Sequence, residues 1–374
     1  MGRRRTWWRS WGVVWAVLAF AAHAAAQPPR EQPICLGLSI SADGRHLATC
    51  GDRIRIFDLQ SGRRVPELET AGESPKPDAD AEPEWRWPFK VGPDERISRV
   101  IAFSPTEPNV LAVGFDSGRI QLWRFGAVRV RQELTREMGE PRALAFTPDG
   151  QFLMSASTRF QFQKPPKGHL ISWRTAGGRR LRVLERDRSI EALSISRDGQ
   201  QLAFCAGNTV ELIEPETFES IGTASLPTGD RKGSPFGTAT GFTNNDQRLY
   251  IAGAISEYVG KKTRAAGALW TLDLQDAGTI QLIDPASSEM LRTLAVSPDG
   301  KRVITSRPAR NGRIQTMALR DAASGDVIWS TDRLFSEPDS IHFSPDGRFV
   351  AWCQSNRIEL ADALTGETVW TFVP

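Results

Sequence analysis

The sequence predicts an all-β fold in which seven four-stranded antiparallel units close into a ring, a seven-bladed β-propeller. A turn of the type Ser-Pro-Asp-Gly recurs along the chain at intervals of about 50 residues or about twice that. Alternating apolar strands and glycine-containing turns fill the intervals, and no segment with helical periodicity competes with them. Sheets of this kind cannot bury both faces alone, so they are expected to stack around a common axis.

Seven turns define the seven units. Five follow the tetrapeptide closely: Ser41-Ala42-Asp43-Gly44, Thr147-Pro148-Asp149-Gly150, Ser196-Arg197-Asp198-Gly199, Ser297-Pro298-Asp299-Gly300 and Ser344-Pro345-Asp346-Gly347. The two double-length intervals contain the others, one beginning at Ser104-Pro105 and one at Thr243-Asn244-Asn245-Asp246. Proline presets φ, aspartate accepts from the backbone ahead of it, and glycine takes the left-handed conformation of a bulged hairpin.

Each unit repeats the same order of strands. The first strand alternates apolar and small residues before the turn, as in Leu38–Ile40, and a short second strand follows, as in Leu47–Cys50. The third strand is again apolar and alternating, as in Ile54–Asp58, and a turn such as Ser61-Gly62 leads into the fourth. Residues 1–26 are predicted to be a signal peptide and 27–374 the propeller, with blades near 34–69, 97–135, 141–185, 189–226, 238–284, 290–332 and 338–374.

Two motifs resemble known propeller families. Phe103-Ser-Pro, Leu111-Ala-Val-Gly114 and Asp116–Trp123 look like a WD40 repeat, and the recurring turn extends this resemblance over residues 34–374. In the last two units, Ala318–Trp329 and Ala361–Trp370 are similar to the Trp-docking repeats of pyrroloquinoline-quinone propellers. The second resemblance implies that the tryptophan ties neighbouring blades together.

The chain begins on a first strand and ends on a fourth, so the sequence shows no exchange of strands between the first and last blades. We therefore expect side-chain packing between blades one and seven to close the ring.

The first 26 residues predict export. Arg3, Arg4, Arg5 and Arg9 precede an apolar stretch from Trp11 to Ala22 and the small residues Ala24–Ala26, where we place cleavage. A retained membrane anchor and a twin-arginine signal remain alternatives. The formal charge of +3 becomes −1 without this segment, which excludes a general basic field for nucleic acid. We expect a periplasmic or secreted monomer with no membrane span in the mature chain.

No catalytic or cofactor motif is present. His46, His169 and His342 are far apart in sequence and lack the spacing of metal ligands. Neither a nucleophile elbow nor a phosphate-binding glycine loop occurs. We predict no catalytic residues, no metal and no cofactor. The alternating carboxylates of Asp78–Glu84 could gather calcium but are better explained as a solvated acidic loop.

Three of the four cysteines occupy one repeated position. Cys50, Cys205 and Cys353 each follow their turn aspartate by seven residues, where other units carry glycine, alanine or serine. This pattern predicts a small packing slot. Cys35 lies near Cys50 in the predicted hairpin, so a disulfide between them is an alternative in an oxidising compartment.

One face of the ring is predicted to bind. The long segments 70–96, 158–169, 226–240, 254–267 and 306–313 all connect strands two and three or successive blades, which places them on one side. The last four carry nine more basic than acidic residues, and 70–96 carries three more acidic than basic ones. The candidate binding residues are Trp85, Trp87, Phe89, Phe160, Phe162, Lys164, Lys167, Tyr258, Lys261, Lys262, Arg264, Arg307, Arg310 and Arg313.

These observations favour a non-catalytic scaffold that binds an anionic protein surface or a cell-envelope ligand. We expect no binding of nucleic acid. A propeller enzyme of the lactonase or quinoprotein kind and a purely structural repeat protein remain the alternatives.

Overall fold

Seven antiparallel sheets of four strands each form a ring. The computed structural model describes residues 35–65, 97–125, 130–134, 139–161, 164–243, 245–259, 262–275, 279–284, 290–307, 315–334, 340–354 and 357–372. These residues form strands and turns and no helix. The signal peptide predicted at 1–26 lies outside the described residues, as does the acidic segment 70–96. The predicted seven-bladed β-propeller is confirmed.

Each blade consists of four strands that are consecutive in the chain. Blades 1 to 4 contain β1 (Cys35–Ile40), β2 (His46–Gly51), β3 (Arg55–Asp58), β4 (Arg63–Arg64); β5 (Ser98–Phe103), β6 (Val110–Phe115), β7 (Ile120–Arg124), β8 (Val130–Leu134); β9 (Glu140–Phe146), β10 (Phe152–Gln161), β11 (Lys164–Arg174), β12 (Arg180–Arg186); β13 (Ile190–Ile195), β14 (Leu202–Ala206), β15 (Thr209–Ile213) and β16 (Ser220–Ser225).

Blades 5 to 7 follow the same plan. They contain β17 (Ser234–Phe242), β18 (Arg248–Val259), β19 (Lys262–Asp273), β20 (Ile280–Asp284); β21 (Leu294–Val296), β22 (Arg302–Arg307), β23 (Gln315–Asp321), β24 (Val327–Leu334); β25 (Ser340–Phe343), β26 (Phe349–Gln354), β27 (Arg357–Asp362) and β28 (Thr368–Phe372). The first strands of neighbouring blades contact each other around the ring, and β1 contacts β25. The first strands therefore surround the central axis.

The hydrophobic core is divided into seven clusters, one at each interface between blades. Alternation along the strands turns one set of apolar side chains toward each neighbour. Full burial of a large apolar side chain contributes about 1.5–3 kcal/mol. No single blade holds a core of its own, so the sheets depend on the closed ring.

Side chains close the ring between blades 7 and 1, as predicted. Leu38 and Phe57 of blade 1 share a cluster with Leu360 and Phe372 of blade 7. The rings of Phe57 and Phe372 lie 4.8 Å apart. The indole of Trp370 packs on Gly62, so closely that a β-carbon there would lie 2.9 Å from Cζ3.

The same tryptophan contact joins blades 6 and 7. Trp329 packs on Gly366, and its Nε1 donates a hydrogen bond of 3.1 Å to the carbonyl of Ala363. The two tryptophans that the sequence singled out thus link blades 6, 7 and 1.

The recurring hairpin turns have the predicted conformation. Glycine takes a positive φ between 68° and 74° in five turns: Gly44, Gly150, Gly199, Gly300 and Gly347. In a typical case Ser344 Oγ donates to Asp346 Oδ1, which also accepts the backbone N–H of Arg348. The turns and the loops between third and fourth strands form one face of the ring, here called the turn face.

The disulfide between Cys35 and Cys50, which the sequence left as an alternative, does not form. All four cysteines are among the described residues, and no disulfide joins them. Cys35 packs in the cluster shared with blade 7, whereas Cys50 packs in the cluster shared with blade 2. Their side chains therefore leave opposite faces of the blade 1 sheet. Cys50, Cys205 and Cys353 fill buried positions between blades, as the repeated slot predicted.

Candidate functional site

Two β-hairpins project from the face opposite the turn face. Arm 3 is the outer part of the β10–β11 hairpin, residues 158–161 and 164–168, and arm 5 is the outer part of the β18–β19 hairpin, residues 254–259 and 262–267. Both segments were predicted to be loops, and that prediction was wrong. Their backbones stay paired residue for residue over most of their length, so the hydrogen bonds of the sheet extend past the ring. We call this side the arm face.

Blade 4 lies between the two arms, and its central hairpin is shorter than theirs. Its second strand, β14, ends at Ala206, and Gly207 and Asn208 turn directly into β15. Counted from the equivalent residues Leu202, Leu153 and Leu249, strands β10 and β18 run four and six residues farther than β14. At about 3.3 Å per residue the arms rise roughly 13 and 20 Å above the blade 4 turn. The space above this turn, between the arms, is called the arm cleft.

Arm 3 presents an aromatic side chain beside a guanidinium group on the cleft side. Thr158 faces blade 4, because its Oγ1 donates to the carbonyl of Ile190 at 3.2 Å. Phe160 is 52% exposed and lies on the same side, because its ring contacts Arg142, whose guanidinium also approaches Glu191 of blade 4. The guanidinium carbon of Arg142 lies 5.5 Å from the centre of the Phe160 ring. This wall therefore combines an exposed aromatic ring with a guanidinium group.

Arm 5 and the floor add further cations. Arg264 is paired in register with Glu257, and both lie on the side of arm 5 that packs against blade 4. Glu257 forms an ion pair with Arg231, in which Oε1 lies 3.5 Å from Nη1. On the floor, the exposed Arg188 lies over Gly207. Among the described residues, neither Arg188 nor Arg264 has a carboxylate within ion-pair distance.

A chain of ion pairs borders the cleft near the central axis. Arg99 contacts Asp116 and, at 2.6 Å, Glu140. Arg142 lies 3.3 Å from Glu140 and 3.7 Å from Glu191 on blade 4. These partly buried charges join blades 2, 3 and 4 on the arm face. They fix the position of Arg142 under Phe160, and they largely neutralise one another.

Sequence reasoning missed these inner residues. Arg99, Arg142 and Glu191 occupy the same repeat position, two residues before the apolar residue that begins the alternation of the first strand. Apolar residues would be expected on both sides of an inner strand, so the charge at this position was the available signal.

The structure places the predicted binding residues unevenly. Phe160, Lys164, Lys167 and Arg264 are described in full and lie on the two arms. Three residues are placed by their backbone alone: Tyr258, Lys262 and Arg307. The remainder lie outside the described residues: Trp85, Trp87, Phe89, Phe162, Lys261, Arg310 and Arg313.

Lys167 contributes less free charge than the sequence suggested. It forms an ion pair with Glu185 and lies 3.9 Å from Asp187. The hydrogen bond and charge of Glu185 raise the pKa of Lys167, and those of Lys167 lower the pKa of Glu185. Nearby, His169 is buried, and its Nε2 lies 3.5 Å from Glu185. Burial lowers the pKa of His169 more than this carboxylate raises it.

Two further observations concern metals and membranes. Within the described ranges, no three His, Cys, Asp or Glu side chains are close enough to hold a metal ion together. The described residues also contain no helix of the length and hydropathy needed to cross a bilayer.

Comparison with known proteins supports the fold. No protein-family model matches the sequence, and no curated protein matches it. Among solved structures, the hydrazine synthase of Kuenenia stuttgartiensis is similar, with a TM-score of 0.66 and 12% sequence identity. The match covers 94% of this chain and 98% of that one. At this identity the likeness shows a shared β-propeller fold alone.

Proposed function

We propose that this chain is an exported, non-catalytic propeller of the WD40-like kind, and that its arm face binds an anionic protein surface or cell-envelope polymer. The observation that carries the proposal is the arm cleft. Two paired hairpins rise on either side of a shorter blade, with Arg188 on the floor between them, Arg264 on arm 5 and Phe160 on arm 3.

The rigidity of the arms supports a binding role. Arm 3 is held at its base on both sides, because Gly139 packs against the backbone of Thr158 and Gly168 against that of Arg188. Gly233 makes the same kind of contact with Ser256 of arm 5. Paired strands lose less conformational freedom on binding than open loops do. The entropic cost of binding is therefore smaller, and more of the contact energy appears as affinity.

The positive charges support an anionic partner. Arginine presents several donors to carboxylate, phosphate or sulfate oxygens, and an aromatic side chain beside it adds apolar contact. Attraction between exposed charges is screened by salt, over a Debye length of about 10 Å at 0.1 M ionic strength. The affinity for such a partner should therefore fall as the salt concentration rises.

A binding experiment tests the arm cleft. The probe is fluorescein-labelled poly-L-glutamate, and its anisotropy is measured over a range of salt concentrations. We expect Arg188→Gln with Arg264→Gln to weaken binding roughly tenfold. Arg179→Gln with Lys301→Gln removes the same charge from the turn face and should leave the affinity unchanged. Equal losses in both double variants, or a loss in neither, would contradict the proposal.

Export is tested separately. The full chain with a C-terminal tag is produced in a bacterial host, and the protein in the periplasm and medium is weighed by intact mass spectrometry. A mass corresponding to residues 27–374 plus the tag is expected. Recovery of the uncleaved chain in the cytoplasm alone would oppose export and would leave the arm cleft proposal standing.

A further inference from the structure

A groove of about 630 Å3 opens on the turn face between blades 7 and 1, on the side of the ring opposite the arm cleft. Its apolar lining comes from both blades: Leu59, Pro345, Phe349, Leu360, Val369 and Trp370. The volume lies in the range of sites that bind small ligands, about 300–1,000 Å3. Val369 and Trp370 are 45% and 40% exposed, so part of this apolar surface faces solvent.

The corresponding place between blades 6 and 7 is occupied by an arginine. Arg302 follows the turn of blade 6, and its guanidinium donates to the carbonyl of Gly347 in blade 7 at 3.3 Å. In blade 7 the equivalent position is Phe349, which has no donor to reach across to Gly44 of blade 1. The exchange of arginine for phenylalanine leaves the groove open and apolar.

Two carboxylates stand at the rim of the groove. Asp43 and Asp346 each use Oδ1 to accept hydrogen bonds within their own turn. Burial opposes ionisation of both groups, but the hydrogen bonds from Ser41 and Ser344 and from the backbone outweigh it and hold each pKa below its usual value. Both carboxylates are therefore charged at neutral pH, and no hydrogen bond within the described residues engages either Oδ2.

The two neighbouring arginines leave the site negatively charged. Arg45 donates to Asp58 at 3.1 Å. Hydrogen bonds from Ser61 and Arg45 lower the pKa of Asp58 to about 2, so this pair is neutral overall. The guanidinium of Arg348 lies 5.5 Å from the centre of the Phe349 ring and reduces the negative charge without cancelling it. Apolar surface and uncompensated carboxylate oxygens thus lie side by side.

We propose that this groove binds an extended segment of a partner protein in which an apolar side chain stands next to a lysine or arginine. The apolar side chain packs against Trp370 and Phe349, and the cation donates to the Oδ2 atoms of Asp43 and Asp346. The site is independent of the arm cleft, because it has the opposite charge and lies on the opposite face.

The test uses two fluorescein-labelled peptides, Gly-Leu-Trp-Lys-Gly and the same peptide with glutamate in place of lysine. Anisotropy titrations should show binding of the lysine peptide and a much weaker interaction with the glutamate peptide. The variant Asp43→Asn with Asp346→Asn should lower the affinity for the lysine peptide by roughly tenfold. Asparagine preserves the turn, since Asn245 holds the same position in blade 5 and accepts from Thr243 at 2.8 Å.

Asp149→Asn, in the turn of blade 3, is the matched control and should not alter binding. Phe349→Arg introduces the residue that blade 6 has at the equivalent position, and it should abolish binding by filling the groove. Loss of binding in the control, unchanged binding in the Asp43 and Asp346 variant, or equal affinity for the two peptides would each overturn the proposal. Poly-L-glutamate binding at the arm cleft should be unaffected throughout, which separates the two sites.

Discussion

Removal of Trp370 tests how the ring is closed. The indole packs on Gly62 across the junction between the last and first blades. A tryptophan with 40% exposure buries about 150 Å2, which corresponds to about 3–4 kcal/mol at about 25 cal/mol/Å2. The β-carbon that alanine retains still buries part of this area. We therefore expect Trp370→Ala to lower the free energy of unfolding by about 2–3 kcal/mol.

Two matched variants separate closure from ordinary packing. Val369→Ala alters the exposed neighbour and should cost less than about 1 kcal/mol. Trp329→Ala removes the equivalent indole between blades 6 and 7, where the chain itself holds the two blades together. The loss of Trp370 meets no such restraint, because within the described residues blades 7 and 1 are joined by side chains and share no strand.

Denaturant unfolding gives the free energies, and hydrogen exchange followed by mass spectrometry locates the opening. Trp370→Ala should accelerate exchange in β1 and β26, where blades 1 and 7 meet, whereas Trp329→Ala should act mainly in blades 6 and 7. A cost for Trp370→Ala no greater than that of Val369→Ala would refute the reasoning. Exchange that rises equally around the ring would do so as well.

Three more outcomes are expected. Gly347→Val forces a β-branched residue into φ +69° and should cost about 1–3 kcal/mol in thermal unfolding; an unchanged midpoint would contradict the left-handed turn. Burial lowers the pKa of His342 to about 4, whereas its pKa in the unfolded chain is about 6.5. Between these two values the unfolded chain binds the proton and the folded chain does not. The free energy of unfolding should therefore fall by up to about 3 kcal/mol between pH 7 and pH 4. His342→Ala, which copies Ala295 of blade 6, should make the unfolding free energy less dependent on pH, and an identical pH profile would count against burial of the imidazole. Arg197→Pro follows the repeat pattern yet should cost about 1 kcal/mol, because the backbone N–H of Arg197 donates to Asp246 at 2.8 Å; a more stable variant would refute this.

The contact between the hairpin turns of blades 4 and 5 shows how two departures from the repeat compensate for each other. Asp246 holds the position of the turn glycine with φ +53°, and its carboxylate accepts the backbone N–H groups of Arg197 and Asp198. Elsewhere a proline of one turn packs against the glycine of the next, as Pro345 does against Gly44. Proline has no N–H to donate, so the exchange to Arg197 is what allows Asp246 to bridge the blades. In the sequence, Asp246 stood out as a departure from the repeat, but its connection with Arg197 did not.

The sequence by itself determined the number of blades, the order of strands and the conformation of the turns. These properties depend on local chemistry, since the alternation of apolar residues and the φ of a glycine such as Gly347 are set within a few residues. The resemblance of the last two units to Trp-docking repeats also implied that Trp329 and Trp370 tie neighbouring blades together.

Tertiary structure alone decided where surfaces meet. Polar, irregular segments such as 158–169 were predicted to be loops, because composition does not show whether two successive stretches of backbone pair as strands. Only the backbone pairing seen in the structure reveals the arms. The separation of Cys35 from Cys50 follows from a bulge and from the sides of the sheet on which they lie. The groove depends on the first and last blades, which closure of the ring brings together, and the arm cleft depends on the unequal lengths of the hairpins in blades 3, 4 and 5. No local pattern encodes either juxtaposition.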